Sequence, residues 1–153
     1  MADDATIKVW DTKNGYTLRT LIGHTALVRS MVELSDDSLV SASIDTTIRI
    51  WDLKTGQTIK TLIGHTGDIL ALAILTDGSL ASSARDKKIC IWNTTTSQTI
   101  KILTGHTDGI HGLVLLPDGR LASGSMDKTI IIWDSLTAQL MKTLKGHEDW
   151  VIF

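Results

Sequence analysis

The chain has 153 residues, of which 42% are hydrophobic, with 15 basic and 17 acidic side chains and a formal net charge of −2. That length suits one domain or part of one, and the apolar fraction is ordinary for a chain that buries a core. Charges of both signs are interspersed, which argues against a nucleic-acid footprint or a polybasic membrane anchor; no apolar run approaches membrane-spanning length, and the single cysteine, Cys90, excludes an internal disulfide.

One cysteine leans towards a reducing compartment, and the acidic start MADDATIKVW has no apolar signal core, so a cytoplasmic location is expected. The sequon at Asn93-Thr94-Thr95 carries little weight without an export signal.

In chain order, residues 6–10 alternate Ile7 and Val9 with Lys8 and read as a strand; a polar turn ends at Gly15, and residues 16–21 read as a second strand. The next unit places strands at 28–34, 39–43, 47–51 and 57–62, with a turn at Asp36-Asp37. The third repeats this at 69–75, 80–83, 88–92 and 98–103, and the fourth at 110–116, 121–125, 129–133 and 139–144. Asp77-Gly78 and Asp118-Gly119 are hairpin turns, because glycine tolerates positive φ. The central strands, such as LALAIL and TIIIW, are apolar at nearly every position, as expected of sheets covered on both faces.

These units repeat with a fixed step of 41 residues. Gly-His recurs at Gly23-His24, Gly64-His65, Gly105-His106 and Gly146-His147. Tryptophan recurs at Trp10, Trp51, Trp92 and Trp133, each with an aspartate six residues before it: Asp4, Asp45, Asp86 and Asp127. A period of this size with Gly-His and Trp-Asp signatures marks the blades of a β-propeller, and along essentially its whole length the chain resembles the WD-repeat family. The implied fold is all-β: an arc of three complete four-stranded blades (23–63, 64–104 and 105–145) with partial blades at 1–22 and 146–153. Because the family usually closes rings of about six to eight blades, the chain is expected to be a segment of a longer propeller, prone to self-association through open blade edges.

Each complete unit carries His, Ser and Asp: His24, Ser41 and Asp45; His65, Ser82 and Asp86; His106, Ser123 and Asp127. The set invites a hydrolase reading. A nucleophile is needed once, however, and this set appears three times at identical spacing with Trp51, Trp92 or Trp133 added. The resemblance implies a buried structural relay instead, in which Ser accepts from the indole and donates to His, while Asp accepts from the other ring nitrogen. No zinc spacing, Walker motif or GxGxxG fingerprint is present, so neither metal nor cofactor is expected. His111, outside the Gly-His phase, reads as a surface or contact residue. Arg19, Lys60, Lys101 and Lys142 recur on the outermost strands and read as charges that discourage edge pairing.

Several positions depart from the family pattern. Asn93 stands where Asp follows the other tryptophans. Ser97 and Ala138 stand at the turn positions of Gly15 and Gly56, so those two turns are expected to avoid positive φ. Leu34, Leu75 and Leu116 take the place of the usual first-strand aromatic.

The family resemblance implies a non-catalytic scaffold or adaptor that binds other proteins, with signalling as its setting and with no nucleic-acid or membrane partner. The other reading is a receptor for a peptide or modified peptide at the central channel, although aromatic residues for a cage are scarce. The resemblance places partner contacts on one face, at Leu27, Arg29 and Ile44; Asp68, Leu70 and Arg85; and Gly109, His111 and Met126. These positions differ from blade to blade, and they combine apolar side chains with arginines, as protein hot spots do.

Overall fold

The computed structural model describes residues 4–34 and 37–152. Its regular structure is all strand. β1 (Ile7–Trp10) and β2 (Thr17–Leu21) form a two-stranded antiparallel sheet. β3 (Val28–Leu34), β4 (Ser38–Ser43), β5 (Thr47–Asp52) and β6 (Thr58–Ile63) form the first four-stranded sheet, each strand pairing antiparallel with the next. β7 (Ile69–Ile74), β8 (Leu80–Ala84), β9 (Lys88–Asn93) and β10 (Gln98–Thr104) form the second. β11 (Ile110–Leu115), β12 (Leu121–Ser125), β13 (Ile130–Trp133) and β14 (Leu140–Leu144) form the third. The first strands stand side by side, β3 against β7 and β7 against β11, so the sheets stack as blades of an arc. Of the turn expected at Asp36-Asp37, Asp36 lies outside the described residues. Beyond the third sheet, the Val151 amide donates to Ser125 O at 3.0 Å, and Val151 is buried.

The core lies between the blades. Val40, Ile48 and Leu62 of the first sheet pack against Leu72, Leu80, Cys90 and Trp92 of the second. The opposite side of the second sheet packs Ala81, Ile89, Ile91 and Leu103 against Ile110, Leu121, Ile131 and Trp133 of the third. Along β9, alternate residues therefore enter two different cores. Side chains still alternate with a period of two, but both faces are apolar, which is why the sequence shows a continuous apolar run.

Two bulges recur in the same register. On each outer strand one residue is left unmatched opposite the tryptophan: Leu18, Ile59, Ile100 and Met141. On each first strand the unmatched residue is Arg29, Leu70 or His111. A bulge breaks the alternation and re-aims one side chain.

Two expectations are corrected. Ser97 and Ala138 do not avoid positive φ: they stand at +63° and +61°, beside Gly15 at +75° and Gly56 at +78°. The reason is the turn's hydrogen bond. Ser97 N donates to Asn93 O at 2.8 Å and Ala138 N to Asp134 O at 2.9 Å, as Gly56 N does to Asp52 O at 2.7 Å, and the left-handed backbone is imposed whichever residue occupies the position. The second correction concerns the periodic cations, which do more than guard edges. Lys60 Nζ donates to Thr94 O (3.0 Å) and Thr95 O in the turn of the next blade, Lys101 Nζ donates to Leu136 O, and the Arg19 stem lies beside Gly56. Each lysine satisfies turn carbonyls that no strand reaches.

Candidate functional site

The loop entering each first strand brings its histidine over the second strand and the following turn. His24 Nε2 lies 2.7 Å from Ser41 Oγ and its Nδ1 lies 2.8 Å from Asp45 Oδ2, while Trp51 Nε1 donates to Ser41 Oγ at 2.8 Å. The second blade has the same three contacts at 2.8 Å each, among His65, Ser82, Asp86 and Trp92. The third has them at 2.8, 2.8 and 2.7 Å, among His106, Ser123, Asp127 and Trp133. Each aspartate also accepts a backbone N–H from the residue after the histidine, Thr25, Thr66 or Thr107, and so ties the loop to the turn. In the three complete blades the glycine of Gly-His is explained by the same packing: a Cβ at Gly23 would stand 3.0 Å from Trp51 Cη2, one at Gly64 2.9 Å from Trp92 Cη2, and one at Gly105 3.1 Å from Trp133 Cη2.

The distances match those of a hydrolytic triad. Each serine hydroxyl, however, is fully buried and accepts from an indole, so its oxygen has no solvent-exposed surface for a substrate to reach. Burial works to raise the Asp45 pKa, but hydrogen bonds from the Thr47 hydroxyl, the Thr25 and Thr47 amides and His24 outweigh it and hold the carboxyl at about 2. At Asp127 the contest is the same, with bonds from the Thr129 hydroxyl, the Thr107 amide and His106, and the result is again about 2. Burial lowers the pKa of His24, with Asp45 opposing and Arg49 assisting. The middle blade lacks the threonine: Lys88 stands where Thr47 and Thr129 donate their hydroxyls to Asp45 and Asp127, so Asp86 keeps only the Lys88 amide there, at 3.1 Å.

Asn93 keeps the polar contact of the aspartates it replaces. Its Oδ1 accepts from Thr95 N and Thr96 N at 2.9 Å each, as Asp52 Oδ1 accepts from Lys54 N and Thr55 N. Cys90 is buried beside His65, and burial followed by the nearby Asp86 pushes its thiol up to about 12. Among the described residues no cluster of His, Cys, Asp or Glu could hold a metal ion, and no helix is long and apolar enough to cross a membrane.

Nine positions at the same end of the blades carry the candidate interaction face. Ile44 N donates to Leu27 O at 3.0 Å, Arg85 N to Asp68 O at 2.9 Å and Met126 N to Gly109 O at 2.9 Å, so each blade sets two of its three residues on one rung. The third is the bulge residue: Arg29, Leu70 or His111. Neighbouring blades meet there, since Arg85 and Met126 both pack against Gly109. Leu70 and Gly109 are buried and add little accessible surface, whereas Arg85 is exposed and Leu27, Arg29, Ile44, Asp68, His111 and Met126 are half-buried. Asp68 Oδ2 pairs with Arg85 Nε at 3.4 Å.

One member of this face escapes the sequence reading. Trp150 is 54% exposed and stacks on His111, with ring centroids 6.5 Å apart and planes 20° from parallel. Arithmetic finds it: Trp150 lies one 41-residue step beyond Gly109, at the place of Leu27 and Asp68.

A family model described as WD domain, G-beta repeat matches the chain three times, over residues 15–52, 56–93 and 97–134, about three quarters of its length. The chain belongs to the WD-repeat family, and its fold is an arc of that family's propeller blades. Each matched window opens on an outer strand and closes at a Trp-Asp or Trp-Asn pair, so the sequence repeat is offset from the sheet by one strand. A comparison with curated proteins finds no match. Repeats of this family generally mediate protein–protein interaction and are typically non-catalytic.

Proposed function

We propose that this chain is a non-catalytic scaffold or adaptor, an arc of a longer cytoplasmic propeller that holds other proteins on the face carrying Leu27, Arg29, Ile44, Asp68, Arg85, His111, Met126 and Trp150. One observation carries this reading: three identical backbone rungs and three identical bulges present different side chains in each blade, while the relay beneath them is the same in all three. A rigid frame with a varied, partly apolar and arginine-bearing surface is what a specific protein contact needs. The single free cysteine, Cys90, supports the cytoplasmic location.

The test is affinity capture of partners with single alanine variants. Arg29→Ala, Arg85→Ala, Met126→Ala and Trp150→Ala are expected to weaken a captured partner by about 1–2 kcal/mol each, roughly 5–30-fold in Kd, with melting temperature unchanged. Arg19→Ala and Lys142→Ala on the outer rim are expected to leave capture intact. If the rim variants abolish capture and the face variants do not, the contact surface lies elsewhere.

A further inference from the structure

We infer that the segment seated on this face is an acidic peptide, a run of carboxylate side chains held by Arg29, Arg85 and Lys87 beside the His111–Trp150 stack. The inference rests on the face reading above and adds the chemistry of the partner.

Its first support is how charge is divided among three otherwise equivalent turns. Between the second and third strands the first blade has Ile44, Thr46 and Thr47, and the third has Met126, Lys128 and Thr129. The middle blade has Arg85, Lys87 and Lys88, all exposed. Lys128 is occupied, since its Nζ donates to Glu148 O at 2.9 Å. Cationic side chains therefore gather at the middle turn, where only Arg85 has an ion-pair partner among the described residues, and the bulge in the neighbouring first strand sets Arg29 on the same face.

The second support is what fails to neutralise them. Among the described residues Arg29, Lys87 and Lys88 form no ion pair, and the Asp68–Arg85 pair is long, at 3.4 Å, and partly exposed, so a peptide carboxylate can share the Arg85 guanidinium. Asp86 points inward to His65 and the Thr66 amide. Asp108 and Asp149, on the next two loops, bound the patch on one side; each accepts the amide of the following residue.

The third support is the wall. Trp150 and His111 form a flat stack, with Met126 close by over Gly109, on which the methylenes of Glu or Asp can lie while the carboxylates reach the cations. Burial followed by Arg29 and Arg85 lowers the His111 pKa, so at neutral pH the ring is a flat, uncharged surface and not a further charge. A peptide fits the arrangement better than a nucleic acid, because the cations form one cluster on one blade and its neighbour rather than a stripe that tracks a phosphate backbone.

The probe is a fluorescein-labelled oligoglutamate peptide, with an oligoglutamine peptide of equal length as control, followed by anisotropy at low and physiological ionic strength. Oligoglutamate is expected to bind with an affinity that falls as salt rises, and oligoglutamine not to bind. The double variant Arg29→Gln/Lys87→Gln should weaken oligoglutamate binding by about ten-fold or more. Arg29→Gln/Lys87→Gly, which suits the left-handed backbone at Lys87 (φ +68°), should do the same. The rim pair Arg19→Gln/Lys142→Gln changes net charge equally and should stay within about two-fold. Failure of oligoglutamate to bind, equal loss in the rim pair, or tighter binding of a single-stranded oligonucleotide overturns the inference. If oligoglutamate fails to bind while Trp150→Ala and Met126→Ala still release a captured protein partner, this inference falls and the face reading stands.

Discussion

Four tryptophans at one sequence step have two different fates. Trp51, Trp92 and Trp133 are almost completely buried with their indole N–H groups satisfied, whereas Trp10, with no relay serine or histidine in its two-stranded sheet, is 53% exposed. Trp133→Ala is expected to cost about 3–5 kcal/mol and Asp127→Ala about 1–3, while Trp10→Ala and Lys142→Ala stay near or below about 1. Denaturant melts of the four variants rank them, and equal shifts would contradict the relay as a source of stability. Acid should act through the same residues. The depressed pKa of His24 means the folded state takes up its proton later than the unfolded chain, so stability falls as pH drops below the ordinary histidine value of 6.5. Asp45 and Asp127 are held at about 2 against an ordinary 3.8; their contribution is complete above about pH 4 and is lost between about pH 4 and pH 2. Melting temperatures measured from pH 7 to pH 2 should show both falls, and Thr47→Val, which removes a donor to Asp45, should shrink the lower one. In the middle blade the change runs the other way: Lys88→Thr restores the missing hydroxyl and should stabilise by about 0.5–1 kcal/mol.

Turns and bulges show how an element overrules its residues. The tight turn after each third strand requires a left-handed residue, and Ser97 and Ala138 adopt that conformation at a cost glycine avoids. Ser97→Gly and Ala138→Gly should therefore raise stability by about 0.5–1 kcal/mol each, whereas Gly56→Ala should lower it; a thermal shift series checks all three. Strand positions were legible in the sequence because Asp-Gly turns and β-branched runs bracket them, and Val28–Leu34 and Leu121–Ser125 fall where expected. The bulges were not legible. Leu18, Ile59, Ile100 and Met141 read as ordinary strand residues, and only the pairing register shows them unmatched and about half-exposed.

Across the molecule, burial grades outward from the second strands. β8 and β12 are buried at every residue, whereas β2 and β14 are mostly exposed. Amide hydrogen exchange should be slowest in β8 and β12 and fastest in β2 and β14, and uniform protection would argue against stacked blades. The blades are also joined by hydrogen bonds: Leu72 N donates to Ser30 Oγ at 3.1 Å, and Lys60 and Lys101 reach the turns of the next blade. Lys60→Ala should therefore be more destabilising than Lys142→Ala, which has no such reach among the described residues, by about 1 kcal/mol in a denaturant melt.

By itself, the sequence determined the period, the strands and the members of each relay. Those features are local, or repeat at a fixed step, and repetition makes a weak motif specific. The tertiary structure alone decided which residues the repeat exposes. Leu70 and Gly109 are buried while Arg29, His111, Leu27 and Asp68 at the same phases are half-buried, Gly109 lies against Arg85 of the preceding blade, and the third blade brings His111 to Trp150 of the next repeat. It also turned Lys60 and Lys101 from edge charges into bridges between blades. Contacts of this kind depend on the spacing and tilt of stacked sheets, which no single repeat encodes.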